Sequence, residues 1–260
     1  MKKEKEFYIG YSGTVGTGTK RTLQRFIWTA GFVLLGGVFL FGYLQTPAVN
    51  SSFDFGNPTQ ITGVYHESPY PMLRVQLAAN EFKEIVLLGF GKSGPNPYLK
   101  EAREKAGTLD GKRMTIAGQL IYYNGKTLLE IDDSQKVTVF EKGKSVQPTA
   151  IGMLTVEGEI IDPKCYFGVM KPGYGKIHRS CAALCILGGI PPVLVSKDAN
   201  KVEDYFLLTD MKGNPLHKDI LPYIGQPSRL IGQTEQLGEW KIMRIAVSQI
   251  VKLDSKSSIY

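Results

Sequence analysis

The sequence predicts a mainly β protein: one N-terminal transmembrane helix followed by two five-stranded barrels in tandem, the second with a Cys/His-containing helical insertion. Three observations carry this prediction. An uncharged, proline-free run covers residues 26–44, short strand-like runs separated by glycine turns fill the rest, and the two halves of that remainder repeat one order of motifs.

The chain has 260 residues, 43% of them apolar, enough to bury two modest cores rather than remain disordered. Residues 26–44 read FIWTAGFVLLGGVFLFGYL. At about 1.5 Å rise per residue this run nearly matches the roughly 30 Å hydrocarbon core of a bilayer. Trp28 and Tyr43 near its ends suit the membrane interfaces. A cleaved secretory signal would have a shorter apolar region and a small-residue cleavage site, whereas residues 45–49 read QTPAV, so an uncleaved signal-anchor is expected. Lys2, Lys3, Lys5, Lys20, Arg21 and Arg25 precede the span, and no basic residue follows it until Arg74. The positive-inside rule then puts a basic tail (residues 1–25) in the cytoplasm and everything after the span outside it, the periplasmic or extracellular side of a bacterial inner membrane. Part of the net charge of +7 is therefore an orientation signal directed at the lipid bilayer, and a nucleic-acid partner is not indicated.

Residues 45–59 read as a linker, residues 60–141 as a first folded domain and residues 151–254 as a second, separated by the polar, Pro148-bearing stretch 141–150. In the first, strands are expected at 60–66, 72–77, 84–90, 113–122, 127–131 and 136–140, with a helix at 97–106. In the second they are expected at 153–161, 192–195, 205–209, 228–233, 241–247 and 250–253. The halves align in detail. Gly111 to Gln119 (GKRMTIAGQ) matches Gly225 to Gln233 (GQPSRLIGQ), each followed by a turn glycine, Gly125 or Gly238. Gly63 matches Gly158, and GPNPYL at 94–99 matches GNPL at 213–216, each opening a short helical stretch. Three strands, a short helix and two more strands resemble the OB-fold, a five-stranded Greek-key barrel, so two OB-like domains are expected.

The second half is longer between Gly158 and Gly225 than the first between Gly63 and Gly111, and the surplus lies at residues 162–192. This insertion falls between strands one and two, a usual ligand-binding loop of OB-folds. It holds all three cysteines of the chain, Cys165, Cys181 and Cys185, with one of the three histidines, His178. Residues 177–187 are helix sequence stopped by Gly188-Gly189, and positions 178, 181 and 185 share one helical face. With Cys165 returning across the turn at 171–175, three thiolates and an imidazole form a candidate metal site for zinc or copper. The spacing C-x12-H-x2-C-x3-C is not a common zinc-finger pattern. Two other readings stand beside it. In an oxidising compartment Cys165 would pair with Cys181 or Cys185 and leave one thiol over. Alternatively Cys181, near a helix N-terminus beside Lys176, His178 and Arg179, would be a reactive thiol of lowered pKa. Lys171, Lys176 and Arg179 around a glycine turn also form a candidate anion site, weaker than a solvated basic loop.

Cys181-Ala-Ala-Leu-Cys185 resembles the C-x3-C copper motif of the cytochrome-oxidase copper chaperones and of the dinuclear copper domain of oxidase subunit II. The second of these carries a histidine four residues after its second cysteine, where this chain has Gly189. The longer segment CYFGVMKPGYGKIHRSCAALCILGGIPP looks like the signature of an uncharacterised group of bacterial membrane-anchored proteins, a resemblance that implies no particular activity. Tyr166, Phe167 and Tyr174 are expected to cover the insertion, Met170 to pack near Cys165 or add a soft ligand, and His66 and His217 to be packed or surface residues. No paired-carboxylate catalytic site stands out. The function expected is that of an accessory or electron-transfer subunit of a membrane complex, more readily than that of an enzyme; a disulfide-stapled assembly module and a thiol-dependent enzyme using Cys181 are the other two classes.

Overall fold

The computed structural model describes residues 16–44, 51–133, 137–143, 146–200 and 202–254. Lys2, Lys3 and Lys5 and residues 45–50 of the expected linker lie outside the described residues. Helix α1, Thr17–Leu44, starts nine residues before the apolar run, so Lys20, Arg21 and Arg25 stand on the helix itself. Its 28 residues bury no side chain within the chain, and it is long and apolar enough to cross a membrane. Residues 1–49 and residues 50–260 form two separate units.

The second unit is mainly β and consists of two closed five-stranded barrels in tandem. The first contains β2 (Thr59–His66), β3 (Met72–Ala78), β4 (Glu81–Gly89), α2 (Asn96–Ala106), β5 (Lys112–Tyr123) and β6 (Lys126–Ile131). Each strand pairs with the next around the ring β2-β3-β4-β6-β5, and β5 returns to β2; only β4 and β6 run parallel. The second barrel repeats this with β8 (Thr149–Ile161), β9 (Val193–Lys197), β10 (Glu203–Thr209), β12 (Trp240–Ile245) and β11 (Pro227–Leu237), again with one parallel pair, β10 and β12. Closure removes the free sheet edges on which unwanted pairing would start.

The aligned glycines mark the same corners in both barrels. A Cβ on Gly63 would lie 2.6 Å from the carbonyl oxygen of Arg74, and one on Gly158 would lie 2.2 Å from that of Val195. The later pair behaves alike: Gly118 abuts the Glu130 carbonyl at 2.3 Å and Gly232 that of Arg244 at 2.5 Å. Strands that bend across a small barrel bring backbone onto backbone, and only glycine admits that approach.

Two expectations need correcting. Residues 51–53, assigned to the linker, form a short strand β1 (Ser51–Phe53) that pairs with β5. Residues 213–216 open no helix. Asp210 Oδ1 accepts the N–H groups of Lys212 and Asn214 and folds the segment into a tight turn, Pro215 bridges to Thr209, and the 3-10 turn comes later, at Leu221–Tyr223. The last strand, β13 (Val251–Lys252), follows another 3-10 turn and, like β7 (Val137–Lys142), adds to a barrel rather than closing it.

Each barrel has its own core, one around Leu73, Leu87 and Met114, the other around Ile160, Leu194 and Met243. A third core joins them: Tyr70, Met72 and Leu88 from the first barrel pack with Phe167, Tyr205 and Trp240 from the second. Tyr70 and Trp240 place their polar groups in hydrogen bonds across this seam. The Tyr70 hydroxyl donates to the Leu208 carbonyl (2.5 Å) and accepts from the Leu216 N–H (3.1 Å), and Trp240 Nε1 donates to the Glu84 carbonyl (2.9 Å).

Candidate metal centre

Strand β8 ends on Ile161 and delivers Asp162 to the mouth of the second barrel. Asp162 Oδ1 accepts the backbone N–H groups of Lys164 (2.9 Å) and Cys165 (3.4 Å), so its carboxylate starts the single π-helical turn Cys165–Val169. That turn buries Cys165, Tyr166 and Phe167. Phe167 is sandwiched between Tyr123 (5.4 Å between ring centroids) and Trp240 (6.1 Å). The turn is tied to the first barrel by Lys164, whose ammonium is buried, pairs with Glu130, and donates to the carbonyls of Gly89 (2.9 Å) and Gly91 (2.6 Å).

Helix α3, Gly175–Leu187, follows. Ala182 and Ile186 point into the core of the second barrel, while Cys185 joins the seam and Cys181 packs against it. These faces are set by the 3.6-residue period. The helix ends where Gly188 meets the 90–95 loop of the first barrel: Gly94 donates its N–H to the Gly188 carbonyl (2.7 Å), and a Cβ on Gly188 would fall 1.7 Å from the Lys92 carbonyl oxygen.

This packing brings together five potential ligands. Cys165, His178 and Cys181 place their donor atoms within 4.8 Å of one another, and so do Asp162, Cys165 and Cys185. The four residues expected as one tetrahedral set are thus grouped as two triads that share Cys165. The reason lies in helix geometry, since residues 178 and 185 are separated by about 10 Å along the axis at 1.5 Å per residue. Asp162 is the member that sequence reasoning missed. Its signal was its place three residues before Cys165, at the end of a strand leading into the cysteine-bearing segment.

Two buried atoms in this cluster, Asp162 Oδ2 and His178 Nε2, have no hydrogen-bond partner among the described residues and lie 3.9 Å apart. Asp162 is 0% and His178 4% exposed, so solvent does not serve them. An unpaired carboxylate oxygen and an imidazole nitrogen beside buried sulfurs make a donor set that a soft or borderline metal ion satisfies. Met170 Sδ lies 3.8 Å from Cys181 Sγ and adds a further soft donor at the rim. All three cysteines are free. The Cys165 thiol is pushed well above its ordinary range, first by its hydrogen bond with Cys185 and then by burial and Asp162. The Cys181 thiol is also raised, chiefly by burial, with Lys92 opposing, so the lowered pKa expected of a reactive thiol is absent.

Two of the three basic residues suggested for an anion make hydrogen bonds within the chain. Arg179 donates from Nε to the Ile224 carbonyl (2.9 Å) and from Nη2 to Gln226 (2.9 Å), Lys171 donates to the Tyr166 carbonyl (3.2 Å), and Lys176 is exposed. At the start of α3, Glu159 Oε1 accepts the Gly175 N–H at 2.5 Å. Tyr166 and Phe167 are buried over the cluster and Tyr174 is half-buried beside Tyr166 (6.2 Å between centroids). His66 is a buried residue and His217 packs edge-on against Tyr70, so neither belongs to the centre.

The chain matches no family model and no curated protein. A helix able to cross a membrane, two tandem barrels and a Cys/His/Asp cluster that can hold a metal are the features that define it.

Proposed function

We propose that this protein is a single-pass membrane-anchored accessory or electron-transfer subunit that displays a cysteine-rich zinc or copper centre outside the cytoplasm, next to a membrane-protein partner. One observation carries the reading: Asp162 Oδ2 and His178 Nε2 are buried and unpartnered beside three free cysteines. The anchor is helix α1, and the basic residues Lys20, Arg21 and Arg25 at its start support an orientation with the barrels outside. Full-length protein extracted in mild detergent and passed over a desalting column is expected to retain zinc or copper by elemental analysis. Metal-free protein whose three thiols all react at once with a small alkylating reagent in the native state would overturn the reading.

A second reading, the disulfide-stapled assembly module, is favoured by the Cys165–Cys185 contact. Non-reducing peptide mapping decides between the two, because a Cys165–Cys185 cross-link removes two of the three sulfur ligands.

A further inference from the structure

We infer that the centre holds two divalent ions of the zinc class rather than one, with the Cys165 thiolate bridging them; the inference rests on the metal-binding reading above. The argument begins with the division of the donors. The two triads share Cys165 alone, and each contains one of the two residues that carry an orphaned atom: His178 in the first, Asp162 in the second. An ion on either triad leaves the other orphan buried and unserved. An ion on each brings a metal to both residues. A single ion seated on Cys165, His178 and Asp162 would also reach both orphans, but it would exclude Cys181 and Cys185.

Charge leads to the same count. Three thiolates and one carboxylate carry four negative charges in a site where Asp162, Cys165, His178 and Cys185 are buried. The nearest buried cation, Lys164, is already paired with Glu130. One divalent ion on either triad, with the cysteine outside it still a neutral thiol, would leave one uncompensated negative charge in a low-dielectric seam, whereas two divalent ions leave none. Metal entry releases the three thiol protons to solvent, and no electron moves. Oxygen from Asp162 beside sulfur and nitrogen ligands suits divalent zinc better than the all-soft set preferred by copper in its +1 state.

The test uses full-length protein in detergent, stripped of metal and reduced, titrated anaerobically with Zn²⁺ or, for a spectroscopic signal, Co²⁺. Two zinc ions per chain are expected by elemental analysis after desalting. With cobalt, the electron paramagnetic resonance of isolated high-spin ions should grow up to the first equivalent and then fall as the second enters, because a bridging thiolate couples the two spins. Asp162→Asn keeps an acceptor for the Lys164 and Cys165 N–H groups while removing the charged ligand, and it should retain one ion. His178→Gln should also retain one. One ion in the unaltered chain, two ions with uncoupled cobalt signals, or two ions surviving Asp162→Asn would each overturn the bridged pair and leave a metal protein standing. No bound ion at all would overturn the proposed function with it.

Discussion

Replacing Lys164 with methionine tests whether the insertion is held to the first barrel by a buried charge. The Lys164 and Glu130 side chains are 4% and 3% exposed, and the same ammonium serves the carbonyls of Gly89 and Gly91. Removing the cation strands the Glu130 carboxylate in the seam, a loss of about 3–5 kcal/mol for a buried pair broken from one side. Adding Glu130→Gln removes the stranded charge, so the double variant should recover part of that loss and keep a deficit of about 1–3 kcal/mol from carbonyls left without a donor. Urea unfolding of the full chain in a non-denaturing detergent measures this. Trp240, buried in the seam, reports the transition, while Trp28 on α1 supplies a constant background. A single variant destabilised by less than about 1 kcal/mol, or a double variant no more stable than the single, would refute the reasoning.

Gly188→Ala should be severely destabilising, lowering the melting temperature by many degrees, because its Cβ would collide with the Lys92 carbonyl; Gly36→Ala on α1, where nothing lies within 4 Å, should leave it unchanged. Phe167→Ala should lower stability by about 3–5 kcal/mol in denaturant melts, the usual effect of truncating a fully buried aromatic. His66 and His217 both have pKa values lowered by burial from the ordinary histidine value of about 6.5. The folded state therefore disfavours their protonation, and their contribution is complete above that value and lost as pH falls below it. Metal-free protein should accordingly become less stable between neutral pH and mildly acidic pH, and a His66→Gln/His217→Gln variant should show a shallower slope in the same melts.

Much of the architecture could be read locally. The apolar run at 26–44 announces a helix long and apolar enough to cross a membrane, because a bilayer imposes a length and a composition on any crossing segment. The matched glycines announced the repeated barrel because small closed sheets need backbone contact at fixed corners, and the structure shows that contact at Gly63 and Gly158. The short strand at 51–53 escaped notice because three residues carry no usable period, and its pairing to β5 is a tertiary event.

For the metal centre the division is sharper. The sequence alone determined that Cys165, His178, Cys181 and Cys185 lie in one insertion and that three of them share a helix face, since helical period is a local property. Only the tertiary structure decided that Asp162 joins them, that Cys165 stands between two triads, and that Glu159 meets the start of α3. Those outcomes depend on how β8, the π-helical turn and α3 pack against the first barrel, and the direction in which a carboxylate points is set by its neighbours in space rather than by its neighbours in the chain.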